Sequence, residues 1–226
     1  MIVEIHADAD ALARAAAELM LREMRAGKRR LLLAGGTTPV KTYELVGRQA
    51  TAADYKGVHI FFGDESAVPP EHVESNYGMV RRAWLEPAHF PPERVHRIRG
   101  EIDAERAARL AEEELRAVTG EPPGLDLALL GLGSDGHTAS LFPGSSSLGE
   151  TLRLFVPSRS GRRITGTFPL LNSTNRVVFL VSGPTKAEAV RAALNDPPGA
   201  VPASLVQPRG GSATWLLDRE AASLLT

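Results

Sequence analysis

The 226-residue sequence predicts an α/β fold with an open, mostly parallel sheet and helices on both faces. Three observations carry this expectation. Short aliphatic runs alternate with stretches of helical spacing along the chain. The runs Leu125–Leu130 and Arg176–Val181 are apolar throughout rather than alternating, as strands covered on both faces are. Four strand ends carry glycine or polar turns: Gly35-Gly36, Gly63-Asp64, Gly131–Gly136 and Ser182-Gly183. In a parallel sheet these ends lie along one edge, where open α/β folds bind ligands.

A short N-terminal strand precedes an amphipathic helix over about Asp8–Arg25, with Leu12, Ala16, Leu19 and Met20 on one side. The charged residues of this first segment, Glu4, Asp8, Asp10, Arg14 and Glu18, argue against a signal peptide. Arg30–Ala34 is the next strand. Thr38-Pro39 then opens a helix through about Val46, with Thr38 as N-cap and Pro39 in the first turn. Val58–Phe62 is a strand ending at Gly63-Asp64-Glu65. Ser75 caps a helix over Asn76–Leu85, and residues 95–98 read as a short strand. Asp103–Val118 is helical. Leu125–Leu130 and Arg176–Val181 are strands, Ile164-Thr165 lies in a strand-like segment, and Gly183-Pro184-Thr185 leads into a helix over Lys186–Leu194. Thr214–Leu217 is a last strand before a C-terminal helix. With no repeat and no low-complexity linker, residues 1–226 read as a single domain.

Composition narrows the function classes. Hydrophobic residues make up 43% and charged residues 23%, ordinary for a globular chain. The 26 basic and 27 acidic residues leave a net charge of −1, which gives no case for a nucleic-acid or membrane-surface partner. There is no cysteine, so disulfides, thiolate nucleophiles and cysteine-bound zinc are excluded, and the cytoplasm is the expected compartment. No apolar run approaches the length of a membrane span.

The stretch LDLALLGLGSDGHTASLFPG (Leu125–Gly144) is the most informative segment. It brings Asp135 and His137 together in a glycine turn at a strand end, a candidate proton-transfer pair. Gly131–Gly136 matches the dinucleotide pattern G-x-G-x-x-G. That reading fails because Pro143-Gly144 interrupts the helix such a loop must start. The glycines instead suit close backbone approach to a ligand, or N–H donation to an oxyanion. The other histidines are scattered without mutual spacing. A metal site built from Asp64, Asp135 and His137 would be sparse, so no metal is expected.

Gly35-Gly36-Thr37-Thr38-Pro39 reads either as a tight turn or as a phosphate cradle at a helix start, but not as a Walker loop, since no G-K-[ST] follows. Asp64-Glu65 reads equally as a solvated pair or as groups that bind sugar hydroxyls or orient a base. Lys186 at a helix start and Arg163 beside Ile164-Thr165 are candidate anion partners. With no G-x-S-x-G elbow and no cysteine, hydrolysis would use water directly.

These motifs in order resemble the 6-phosphogluconolactonases, in the superfamily shared with glucosamine-6-phosphate isomerase/deaminase. The resemblance rests on LAGGTTP (Leu33–Pro39), FFGDE…VP…ESNYGM (Phe61–Met79), the Leu125–Gly144 stretch, RITGTFPLLN (Arg163–Asn172), VVFLVSGPTKA (Val177–Ala187) and WLLDREAA (Trp215–Ala222). It implies a Rossmann-like open sheet of the NagB/RpiA/CoA-transferase-like class. It also implies hydrolysis of 6-phosphoglucono-1,5-lactone to 6-phosphogluconate in the oxidative pentose phosphate pathway. On this resemblance His137 is the general base, Asp135 its partner, and Gly36, Thr37, Thr38, Asp64, Glu65, Arg163 and Lys186 bind the substrate. It implies no cofactor and no metal. The expected partner is a small sugar phosphate lactone, and the expected state a monomer or small homo-oligomer. The deaminase alternative lacks support, because no acid follows His137 before Glu150. A non-catalytic sugar-phosphate binding protein is the other alternative, and the retained Asp135-Gly136-His137 speaks against it. One departure from the lactonase pattern is Ser66, where arginine is usual; Arg81 or Arg82 is expected to compensate.

Overall fold

The computed structural model describes residues 2–209, 211 and 213–225. In chain order the strands and α-helices are β1 (Ile2–His6), α1 (Ala9–Arg25), β2 (Arg30–Leu33), α2 (Val40–Gln49), β3 (His59–Phe62), β4 (Asp64–Ser66), α3 (Asn76–Val80), β5 (Val95–His96), α4 (Ala104–Thr119), β6 (Leu127–Leu130), β7 (Phe155–Ser158), β8 (Arg163–Gly166), α5 (Phe168–Asn172), β9 (Arg176–Val181), α6 (Ala187–Asn195) and β10 (Thr214–Asp218). Seven strands form one sheet in the order β1-β10-β9-β6-β2-β3-β5, every pair parallel. The α/β expectation therefore stands.

The central strands are apolar because helices cover them. Leu31, Leu32, Leu127–Leu130 and Val177–Val181 are essentially inaccessible, and Leu12, Ala16, Met20 and Met24 of α1 pack into the same core. Side-chain caps start three of the helices, and the Ser75 cap is the one the sequence predicts. Asp8 accepts from the Ala11 N–H at 2.7 Å, Ser75 from Gly78 at 3.0 Å and Asp103 from Arg106 at 2.9 Å.

Several expectations change. Thr38 does not cap α2: Pro39 occupies that position with helical backbone and no side-chain bond, and the helix continues to Gln49. The Asn76–Leu85 helix is α3 followed by a π-helical turn, Arg81–Leu85, with Glu86 N–H bonding the Arg81 carbonyl at 3.0 Å. Lys186 belongs to a 3₁₀ turn, Pro184–Lys186, ahead of α6. Among the described residues no helix follows β10; residues 219–224 form turns that begin where the Asp218 carboxylate accepts the Ala221 N–H.

A second, antiparallel sheet, β4-β8-β7, is not foreshadowed as a unit by the sequence pattern. It joins the first at Gly63. The Gly63 N–H donates to the Leu33 carbonyl of β2 at 2.9 Å, and its own carbonyl accepts from Gly166 of β8 at 2.7 Å.

Candidate active site

The carboxyl ends of β2, β3, β6 and β9 open into a cavity of about 750 Å³. Among its lining residues are Gly36, Thr37, Thr38, Asp64, Ser66, His137, Arg163 and Lys186. The parallel register of β6 between β2 and β9 fixes this convergence.

At the end of β6 the chain turns back on itself. The Gly133 N–H donates to the His137 carbonyl at 2.8 Å, and Gly136 N–H to the Gly133 carbonyl at 3.0 Å. These two N–H groups are thereby used within the turn and are not the oxyanion donors the glycines suggest. The turn aims the His137 ring at the cavity and places Asp135 behind it, outside the lining. His137 Nδ1 lies 2.5 Å from Asp135 Oδ1, which also accepts the His137 backbone N–H at 3.1 Å.

Burial alone would raise the Asp135 carboxyl; the hydrogen bonds from His137 outweigh it and hold the group below its ordinary value. An ionised carboxylate only accepts hydrogen bonds. His137 Nδ1 must then carry a proton, so in the neutral ring Nε2 is the bare acceptor. Phe142 packs its ring 4.4 Å from the His137 ring, and the Arg159 guanidinium lies 3.9 Å over Phe142. The imidazole is thus held on two sides.

The loop after β2 forms the opposite wall. The buried Tyr43 hydroxyl of α2 donates to the Ala34 carbonyl at 2.9 Å and accepts from its N–H at 3.0 Å. This pins the strand end and presents residues 36–38. The N–H groups of Gly36, Thr37 and Thr38 donate to no acceptor among the described residues, and neither do the two threonine hydroxyls. Such a set of free donors suits an anion.

The second sheet supplies the cationic wall. Arg163 uses all three of its nitrogens: Nε donates to Ser140 Oγ at 2.9 Å, one terminal nitrogen to Ser66 Oγ at 2.5 Å, and the other to the Asp64 carboxylate. Asp64 also accepts from Ser140 Oγ at 2.6 Å and from Asn76 Nδ2 at 3.0 Å. Arg163 is therefore largely neutralised by Asp64. Arg159, Arg162 and Lys186 make no ion pair among the described residues, and all three line the cavity. Lys186 reaches it because buried Asp218 holds the preceding turn, accepting from Ser182 Oγ and from the Gly183 N–H.

Two expectations about binding residues are corrected. Glu65 does not line the cavity. Its buried carboxylate accepts from the N–H groups of Ser66, Asn76 and Tyr77 and from the Ser75 hydroxyl, fastening the start of α3 to β4. Burial pushes this carboxyl up, against the downward pull of those N–H groups. Arg81 and Arg82 do not reach the cavity to offset Ser66; the charge there comes from Arg159, Arg162 and Arg163. Sequence reasoning also missed Arg159, Asn76 and Ser140. Arg159 sits at φ +47° in the β7–β8 turn, and no motif marks it. Asn76, in the ESNYGM stretch, is the one with a readable signal.

Among the described residues no group of three or more His, Asp or Glu side chains is placed to hold a metal ion. None of the described helices is long and apolar enough to cross a membrane.

Comparison with known proteins gives a consistent picture. The family model described as glucosamine-6-phosphate isomerases/6-phosphogluconolactonase matches residues 7–215. The 6-phosphogluconolactonase of Synechocystis is 40% identical over 208 residues, covering 88% of this chain and 85% of that protein. That of Nostoc is 36% identical, covering 99% of this chain and 98% of its own. Among solved structures, 6-phosphogluconolactonase from Trypanosoma cruzi superposes with a TM-score of 0.87 at 28% identity, covering 100% of this chain and 97% of that one.

Proposed function

Because the chain belongs to the glucosamine-6-phosphate isomerase/6-phosphogluconolactonase family, we propose that it hydrolyses 6-phosphoglucono-1,5-lactone to 6-phosphogluconate with His137 as the base. The observation that carries this reading is the 2.5 Å approach of His137 Nδ1 to Asp135 Oδ1, with His137 in the cavity lining; it makes Nε2 the basic nitrogen of the neutral ring.

In this mechanism Nε2 takes a proton from a water molecule, and the water oxygen forms a bond to the lactone carbonyl carbon. The carbonyl π electrons move to oxygen. Arg162, with Arg163 beside it, faces that developing charge, since the Gly133 and Gly136 N–H groups are already used. Collapse of the tetrahedral intermediate breaks the bond to the ring oxygen, which takes the proton back from His137. The neutral imidazole is regenerated. A positioned base contributes about 10²- to 10⁴-fold. Asp135 stabilises the imidazolium while it exists.

The phosphate is held by the free donors of Gly36, Thr37 and Thr38 together with Lys186. Each charge-assisted bond contributes about 1.5–3 kcal/mol. Asp64, Asn76 and Ser140 are positioning residues that fix Arg163. No step requires a cofactor or a metal. The cysteine-free sequence favours a cytoplasmic setting.

The test is lactone hydrolysis measured above the buffer rate, with wild type and His137→Ala. The variant should lose about 10²- to 10⁴-fold in kcat. Wild-type turnover no faster than buffer would defeat the enzyme reading; full activity in His137→Ala would defeat the assignment of the base.

A further inference from the structure

A second cavity, about 820 Å³, lies on the other side of α3, between the π-helical turn and β5. This volume is within the ~300–1,000 Å³ span of small-molecule sites. Its lining is half apolar, with Leu85, Phe90, Val95 and Ile102, and half charged. Two guanidiniums approach the Tyr77 ring, those of Arg81 at 6.0 Å and Arg97 at 5.7 Å from its centroid.

The charges in the cavity are unequally occupied. Arg97 is taken by Glu101 in a bidentate pair at 2.8 and 2.6 Å, and Glu114 accepts from His96. Arg81, Arg99 and Glu86 have no ion pair among the described residues, which leaves the cations in excess by one, and the buried Nε of Arg81 has no hydrogen-bond partner. Two uncommon backbone features border the same space: the π turn that carries Arg81 and Leu85, and His89 at φ +50°. Both kinds of feature gather at functional sites. The lactonase mechanism uses none of these residues.

We propose that this cavity binds a small aromatic anion, whose ring lies on the apolar floor and whose acidic group meets Arg81 and Arg99. Its occupancy is relayed to the active site through the first turn of α3. Tyr77 lines the second cavity and Asn76 the first, and the N–H groups of both are tied to the one Glu65 carboxylate at 2.8 and 2.6 Å. A shift of Tyr77 therefore moves Asn76, which holds Asp64 and, through it, Arg163. The binding half stands on the cavity alone; the relay half rests on the proposed lactonase reading.

The probe is anilinonaphthalenesulfonate, an aromatic sulfonate whose fluorescence rises on binding. Titration of the wild-type chain should saturate. Arg99→Glu, at an exposed position, and Arg81→Ala should each weaken binding by about tenfold or more. Saturating 6-phosphogluconate should shift the dye affinity by a finite factor without displacing the dye, and the dye should shift the 6-phosphogluconate affinity by the same factor, because coupling between binding equilibria is reciprocal; the dye should also change the KM for lactone. Arg99→Glu should keep its lactonase activity and lose the dye effect on KM. Non-saturable binding, affinity indifferent to both substitutions, or displacement by 6-phosphogluconate would overturn the site. Dye binding that leaves KM unchanged in an active enzyme would overturn the relay. A protein without lactonase activity would defeat the proposed function and leave the dye titration to judge the site.

Discussion

Gly133→Ala is the substitution that most directly questions the His137–Asp135 arrangement. A Cβ at Gly133 would lie 2.0 Å from His137 Nδ1, 2.1 Å from Cε1 and 2.6 Å from Asp135 Oδ1. Ordinary contact begins near 3.4 Å, so the ring must retreat by roughly 1.4 Å, and a displacement of about 1 Å can cost about 10²-fold in rate. The backbone at Gly133 is not left-handed, so alanine is conformationally acceptable there. The His137 side chain is 30% exposed, which gives the ring room to swing outward into the cavity. The chain should therefore fold while kcat/KM for the lactone, above the buffer rate, falls by at least about 10²-fold. Thermal unfolding separates the two effects. Loss of one hydrogen bond is worth about 1 kcal/mol, and so about 2–4 °C in Tm for a chain of this length. A folded Gly133→Ala with wild-type turnover would show that the observed ring position is not the catalytic one.

Lys186→Ala should raise KM for the phosphorylated lactone by about tenfold or more and leave turnover of unphosphorylated gluconolactone nearly unchanged; equal losses on both substrates would place the lysine at the carbonyl instead. Asn76→Ala should lower kcat with a small stability change, since it frees Asp64 and Arg163 without exposing the core; paired kinetics and denaturation distinguish this from simple unfolding. Acid stability should depend on Asp54, whose carboxyl the hydrogen bonds from Arg25 hold down at about 2. Its contribution is present above the ordinary aspartate value of 3.8 and is lost as pH falls from about 4 towards about 2. Arg25 is largely exposed, so the effect is on the order of 1 kcal/mol. Denaturant midpoints near pH 6 and near pH 3 should converge in Asp54→Asn relative to wild type; an unchanged acid limb would show the pair contributes nothing.

The parallel sheet is legible because burial on both faces leaves a continuous aliphatic record, as in Leu127–Leu130 and Arg176–Val181. The β4-β8-β7 sheet leaves no such record. Its strands are three or four residues long, one holds Pro157 and another begins at Arg163, so its pairing is set by tertiary contacts rather than by periodicity. At the site, residues next to glycines are readable, as Gly136 beside His137 and Gly36 beside Thr37 illustrate: glycines clustered at the end of a buried strand leave the backbone open to a ligand. Glu65 is deceptive because an acid at a strand end looks the same in sequence whether it faces a ligand or satisfies the first N–H groups of a helix folded against it. Thr38 has the residue type of a cap, but the backbone places that position at Pro39.

The shared peptide at Gly63 has a dynamic consequence. Its N–H bonds to β2 and its carbonyl to β8, so separating the wall that carries Arg163 from the wall that carries His137 breaks at least one hydrogen bond of this peptide. Catalytic clefts in two-layer proteins often open by low-cost local excursions. Here the amides of Gly63 and Gly166 should exchange with solvent deuterium only as slowly as the whole molecule unfolds. Breathing of the cavity is then confined to its rim, the turns around Val73 and Arg159, and substrate would enter past moving loops between walls that stay at a fixed spacing.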